Sequence, residues 1–288
     1  VEALKVVFDM ETQDPDDFLT LLLLLGHPRI DLRAVTVTPG SQAQVGVVRY
    51  ALSCFEVDIP VGAYNINHPK TCVSPWHYRA YGNIPPSCDA REGHEVLAEN
   101  CDEKTTLITG AALKNVGRAI KNNSLKVKKL VAQGGFAGEG VVPKYLQMEK
   151  FKGKKTCPTF NLNGDRKSAL AVLEYSGIPR RYFVSKNVCH RVLYDQDLHK
   201  QVRVVRKRSK ALNMMYLGMD IYLQKRSHKK LHDPLAACCA ITPLIGQWEE
   251  VELFYAKGEW GSRLASGSNT WIIVDYNHAL FLETFLAY

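Results

Sequence analysis

The sequence predicts an α/β protein in a single domain, residues 1–288, with an open, mostly parallel central sheet flanked by helices. Two observations carry this. Short β-rich runs alternate with stretches of helical periodicity, and no Gly/Ser- or Pro-rich stretch long enough to link two domains interrupts them. In order, residues 4–8 read as a strand, 16–25 as a helix, 32–37 as a strand, 42–55 as a helix and 59–63 as a strand. From 64 to 93 the alternation stops, and Pro69, Pro75, Pro85 and Pro86 mark a long irregular segment that could cover a site. It resumes with a strand at 105–109, a helix at 113–121 and a strand at 127–132. A second irregular stretch, 138–157, precedes a helix at 166–175 and a strand at 181–185. Residues 197–223 read as mostly helical, 233–241 as a shorter helix, 251–274 as a strand pair and 277–287 as a closing helix.

Composition narrows the function. With 46% apolar and 23% charged residues the chain has the balance of a globular protein. The longest apolar run, 18–25, is far shorter than the roughly 20 residues of a bilayer span, which argues against a membrane anchor. Eight Cys without C-x-x-C spacing suit small core positions better than a disulfide framework or a zinc site, so a reducing, cytoplasmic setting is expected. The net charge is +8, and the segment from Lys200 to Lys230 holds ten Lys or Arg against one acid, Asp220. That asymmetry suits either a solvated helix face or an anionic ligand. Nucleic acid is disfavoured, because no zinc-finger, RNP, KH or helix-turn-helix signature accompanies the charge.

In an open parallel sheet, ligands bind beyond the carboxyl ends of the strands. Directly after the first strand stand Asp9, Glu11, Asp14, Asp16 and Asp17, five carboxylates in nine residues. Capping by Asp14, with Pro15 at the first helical position and Asp16 and Asp17 in the first turn, accounts for two or three of them. A multivalent cation is the most economical way to offset the rest. An aspartate-nucleophile phosphatase motif fits poorly, since Glu11 and Gln13 replace its second Asp and its Thr or Val.

This acidic string resembles the DxDPGxDD motif of the inosine-uridine nucleoside hydrolases, with one residue added and Glu11 in place of the second Asp. Residues 32–41 resemble the family's LLAVTTVxGN segment, 110–116 its GPLTNxA turn and 134–136 its MGGA stretch. Residues 160–165 resemble FNxxxDPEAA, and Leu231-His232-Asp233-Pro234-Leu235-Ala236 is similar to LHDPLA. The resemblance spans roughly residues 4 to 242 and implies a Rossmann-like, nucleoside hydrolase-like fold that cleaves the bond between a base and C1' of a ribose. It further implies a Ca²⁺ held by Glu11, Asp17, the backbone carbonyl of Lys114 and Asp233, with Asp9 supporting from behind. Glu11, or alternatively Asp14, would take the proton of the attacking water, and His232 would protonate the departing base. Substrate-binding positions by the same resemblance are Asp16, Ser41, Glu139, Thr159, Asn161 and Asp233. Trp76, His77 and Tyr78 could stack on the base or pin their own loop. The small-molecule partner is a nucleoside or nucleotide, and the family's habit is a homodimer or homotetramer.

Three of these positions depart from the family: Ser41 and Glu139 stand where it has Asn, and Thr159 where it has Glu. Positions 139 and 159 match contacts to the ribose 5'-hydroxyl, and an added segment, 141–157, brings Lys144, Lys150, Lys152, Lys154 and Lys155. Loss of a carboxylate beside gained cations predicts acceptance of a 5'-phosphorylated or otherwise 5'-extended riboside, with Glu139 as the feature that opposes it. Two other readings compete: a binding or signalling protein of the same fold without turnover, and a metal-dependent phosphohydrolase.

Overall fold

The computed structural model describes residues 3–288. Its thirteen strands are β1 (Leu4–Met10), β2 (Ile30–Val37), β3 (Val61–Ala63), β4 (Arg91–Glu92), β5 (Thr106–Thr109), β6 (Lys129–Gln133), β7 (Thr156–Cys157), β8 (Arg181–Val184), β9 (Leu193–Tyr194), β10 (Lys229–Lys230), β11 (Gly246–Ala256), β12 (Glu259–Leu264) and β13 (Thr270–Tyr276). Eleven of them form one sheet in the order β4-β3-β2-β1-β5-β6-β8-β13-β11-β12-β7, and β9 pairs with β10 apart from it. Every pairing from β4 to β13 is parallel. β11, β12 and β7 extend that edge in antiparallel fashion. The mostly parallel sheet flanked by helices is the fold class read from the sequence.

Alternation along β1 explains the layering. Val6, Phe8 and Met10 point into one core, packed by the helices Pro15–Gly26, Gln42–Cys54, Lys210–Leu223 and His232–Ile241. Val7 points into the other, packed by Gly93–Asn100, Lys114–Lys121 and Arg166–Glu174. A strand buried on both faces must be apolar at consecutive positions, which is why 6–8 carries no polar residue.

Several expected elements differ in detail. The irregular stretch 64–93 contains a helix, Pro75–Tyr81, and the short β4; the helix Gly93–Asn100 was not anticipated. The stretch 138–157 holds two 3-10 turns and ends in β7, which joins the sheet. Residues 197–223 divide into Gln196–Val205, a 3-10 turn and Lys210–Leu223. The C-terminal strand pair is a trio whose last member, β13, runs parallel to β8. No helix among the described residues is long and apolar enough to cross a membrane.

The strand order reverses beside β1: the chain winds outward to β4, then returns to β5 on β1's other side. A crevice opens beyond the carboxyl ends of strands at such a switch point. Asp9 to Asp17 leave β1 here, and Gly110 follows β5.

Candidate active site

Asp9, fully buried near the end of β1, is clamped from three directions. Its Oδ1 accepts from Thr36 Oγ1 on β2 at 2.6 Å and from Asn115 Nδ2 at 3.0 Å, and its Oδ2 accepts from Thr109 Oγ1 on β5 at 3.4 Å. Burial, opposed by these bonds, pushes its carboxyl up to about 6. Asp9 thus fixes the switch point rather than facing the crevice.

The first turn of helix Pro15–Gly26 delivers Asp16 and Asp17, and the first turn of His232–Ile241 delivers Asp233. Carboxylate oxygens of these three buried residues lie within 4.8 Å of one another. Gly110 makes the approach possible, because a Cβ there would fall 2.5 Å from Asp233 Oδ1 and 2.7 Å from Asp17 Oδ1. Asp17 Oδ1 accepts from the Glu11 amide at 3.0 Å, while Asp233 Oδ1 is buried with no hydrogen-bond partner among the described residues. Burial and the neighbouring acids push Asp17 and Asp233 well above the usual carboxylate range. Burial, with Asp14 and Asp16 adding to it, also pushes Glu11 up to about 7; its Oε2 accepts from the Gln13 amide at 2.7 Å.

Asp16 behaves differently, for a reason invisible in sequence. Lys229, 4% exposed at its side chain, places Nζ 3.0 Å from Asp16 Oδ1 and 3.0 Å from Asp14 Oδ2. The amides of His232 and Asp233 donate to Asp16 Oδ2 at 3.0 and 3.3 Å. Burial alone would raise Asp16, but Lys229, aided by His232, outweighs it and holds the carboxyl far below its ordinary value. Asp14 stands at the N-cap position ahead of Pro15, yet its side chain makes no cap bond and turns to Lys229 instead. Burial and Asp16 push it up to about 6, against the pull of Lys229.

These acids floor a cavity of about 330 Å³ whose walls include Gln133, Phe160, Asn161 and His232. Asn161 Nδ2 donates to Gly110 O at 2.9 Å and to Gln133 O and Oε1 at 3.1 and 2.8 Å, tying the floor to β6. Phe160, 74% exposed, sets an aromatic ring at the mouth. His232 Nδ1 lies 3.9 Å from Asp16 Oδ2, and its Nε2 is buried without a partner. The ring stacks on His190, centroids 5.1 Å apart and planes at 16°. Burial pushes His232 down to about 4, with Asp16 acting the other way, so the imidazole is neutral at pH 7 rather than half protonated.

The structure therefore gathers Glu11, Asp14, Asp16, Asp17, Asn161, His232 and Asp233 around one cavity. Four other expected positions do not line it. Ser41 caps helix Gln42–Cys54 in a capping box with Gln44 and donates its hydroxyl to Thr71 O at 2.5 Å. Glu139 lines a separate cavity of about 650 Å³ with Lys155 and Phe254. Thr159 is buried beside Phe160 with its Oγ1 unpartnered. Lys114 opens helix Lys114–Lys121, its ammonium 5.4 Å from the centre of the Tyr64 ring. Of the loop aromatics, Trp76 and His77 are core residues: Trp76 Nε1 donates to Gly218 O at 2.8 Å, and both rings pack edge-on to Phe18. Sequence reading missed Gly110, Gln133, His190 and Lys229; only Gly110, following a strand inside a matched motif, carried a usable signal.

Clustered carboxylates with one orphaned buried oxygen fit a hard divalent cation. A second grouping, Cys189, His190 and His232, fits a softer one less well. Burial pushes the Cys189 thiol up to about 12, and His190 Nδ1 already accepts from Lys150 Nζ at 2.6 Å.

A parallel α/β sheet with a carboxylate-floored cavity at its switch point is a frame that can hold a metal ion beneath a small-molecule site. The chain belongs to the inosine-uridine preferring nucleoside hydrolase family, whose model matches residues 6–283, and is thus a hydrolase acting on N-glycosyl bonds. It is 31% identical over 284 residues to an uncharacterized protein of Aquifex aeolicus (strain VF5), covering 94% of each chain. The inosine-uridine preferring nucleoside hydrolase of Bacillus anthracis shares its fold with a TM-score of 0.71 at 20% identity, over 98% of both chains. The purine-preferring ribonucleoside hydrolase of Gardnerella vaginalis does so with a TM-score of 0.69 at 17% identity, over 98% of this chain and 96% of that one.

Proposed function

We propose that this protein is a calcium-dependent N-ribohydrolase that splits a ribonucleoside, or a 5'-substituted riboside, into its ribose product and free base. The observation that carries this reading is the convergence of Asp16, Asp17 and Asp233 beneath a cavity bordered by His232, with Asp233 Oδ1 left without a partner. Asp17, Asp233 and Glu11 would hold the cation, joined by the backbone carbonyl of Lys114. When bound, calcium would acidify a water and anchor ribose hydroxyls.

The chain's own groups supply the rest. Glu11, lining the cavity beside Asp17, would accept the water's proton, whereas Asp14 is engaged by Lys229. Asp16, held ionised by Lys229, can grip ribose hydroxyls and stabilise positive charge as it develops on the ring. Asn161 orders the floor through Gly110 and Gln133. His232, with Nε2 free, stands where it can exchange a proton with the leaving base once substrate charge raises its affinity for one. A homodimer or homotetramer salvaging purine or pyrimidine nucleosides in the cytoplasm is the setting this reading implies.

The test is release of free ribose and free base from mixed nucleosides, with and without a chelator. Chelator-sensitive release is the expected result. Binding without release would favour a non-catalytic relative, and inorganic phosphate from nucleotides would favour a phosphohydrolase.

A further inference from the structure

His232 marks a border between two fields of opposite sign. On one side is Asp16, 3.9 Å from its Nδ1; on the other is the stacked ring of His190, with three lysines around it. Lys150, from the added segment, donates to His190 Nδ1 at 2.6 Å; an ammonium carries no acceptor, so the direction of that bond is fixed. Lys186 donates to Pro158 O at 2.8 Å. Lys230 follows Lys229 in β10, and its charge bears on both imidazoles. Among the described residues none of the three lysines is paired with a carboxylate. Desolvation, with Lys230 and Lys186 adding to it, pushes Lys150 below its ordinary value. Two buried polar groups nearby also lack partners: His232 Nε2, and the hydroxyl of Thr159, which follows the Pro158 that Lys186 holds.

We infer that Lys150, Lys186 and Lys230 form an anion subsite that takes the phosphate of a 5'-phosphorylated riboside whose C1' faces the carboxylate floor. The inference rests on the N-ribohydrolase reading and names its substrate class. With C1' and the ring hydroxyls over the acids, a 5' substituent would leave the ring away from them, and the wall formed by Phe160 and His232 leads to Lys186, which holds Pro158 O, and to Lys150 on His190. Phosphate oxygens then meet three ammonium groups unpaired with any carboxylate among the described residues, of which Lys186 and Lys230 are half-buried and Lys150 exposed. Glu139 does not oppose this, because it lines a different cavity with Lys155. Lys152 is likewise absent from the subsite, being paired with Glu149 at 3.6 Å.

The test uses ribose 5-phosphate and ribose as calorimetric probes of the calcium-loaded protein, so that binding is read without turnover. Ribose 5-phosphate is expected to bind on the order of tenfold or more tighter than ribose, the advantage shrinking with salt and in Lys150→Gln and Lys150→Gln/Lys186→Gln. Equal affinities, or an advantage that survives both variants, would overturn the subsite. A parallel assay compares base release from inosine and from inosine 5'-monophosphate. Release from inosine alone at low salt would overturn the inference and leave the hydrolase reading standing. Release from neither, with ribose 5-phosphate still held by the lysines, would remove the hydrolase reading and leave the subsite.

Discussion

Lys229 is the residue on which the charge balance of the site turns. Its single buried ammonium serves Asp14 and Asp16, which leaves Asp17, Asp233 and Glu11 to face one another without a counter-ion. Removing one partner of a buried pair strands the other, so Lys229→Met should cost about 3–5 kcal/mol in urea unfolding; an unchanged midpoint would show that the pair contributes nothing. Asp17→Ala and Asp233→Ala should each abolish calcium binding and turnover together, and calcium retained at full occupancy by either variant would contradict the assigned ligands. Glu11→Gln keeps the shape and loses the base, which predicts a fall in kcat of roughly 10²- to 10⁴-fold. If Asp14→Asn is the crippled variant instead, the added residue in the loop has shifted the base by one acid. His232→Ala should slow inosine far more than an activated aryl riboside, whose leaving group needs no proton. The acids were legible as a group because they follow a strand in one short string. Lys229 was not, because within a basic run nothing in the sequence tells which lysine turns inward to meet carboxylates more than 200 positions earlier.

At the scale of elements, a helix cap accounts for Ser41, a position that motif matching assigned to substrate. Ser41 begins helix Gln42–Cys54: its hydroxyl accepts from the Gln44 amide at 3.3 Å, and the Gln44 side chain returns to the Ser41 amide at 3.2 Å. Ser41→Ala should therefore cost about 1 kcal/mol of stability while leaving KM unchanged. A raised KM at unchanged stability would return Ser41 to the substrate. The same chemistry hid helix Pro75–Tyr81. Prolines were read as breakers, yet Ser74 caps Pro75 at the first helical position and Gly82, at φ +80°, closes the other end, an order that is itself a start and a stop signal. Helix Gly93–Asn100 escaped because Glu92 makes no side-chain cap bond at its start. The alternating strands were readable for the opposite reason: a strand buried on both faces has to be apolar at consecutive positions, and β1, β5 and β6 are.

Over the whole molecule, the acidic floor couples stability to pH and, on the proposed reading, to calcium. Burial pushes Asp9 and Asp14 to about 6 and Glu11 to about 7, and raises Asp17 and Asp233 as well. Between the ordinary carboxylate range and about pH 7 the folded chain thus holds protons on these acids that the unfolded chain has released, and their contribution to the stability of the cation-free protein falls as pH rises through that window. Asp16, depressed by Lys229, contributes with the opposite sign, but only at pH values below this window. His27, His77, His190 and His232, all pushed down by burial, also oppose the acids, their contribution rising with pH until it is complete just above the ordinary histidine value of 6.5. Above about pH 7 the acids act alone, so melting temperatures in chelator should be lower at pH 8 than at pH 7, and bound calcium should erase the difference; equal values in chelator would refute the coupling. The sheet order put these acids beside β5, and the open parallel fold was legible in the alternation, as was a strand pair near the C-terminal end, whereas β7, which closes the antiparallel edge, was not, since it is only two residues long. The floor is assembled from Asp17 near one end of the chain and Asp233 near the other, with Gly110 between them. During synthesis the acids of residues 9–17 emerge long before Asp233, so the floor is incomplete until Asp233 has left the ribosome. On the proposed reading, capture of the cation would wait for that step, and polypeptides ended before Asp233 should neither retain the ion nor complete the crevice.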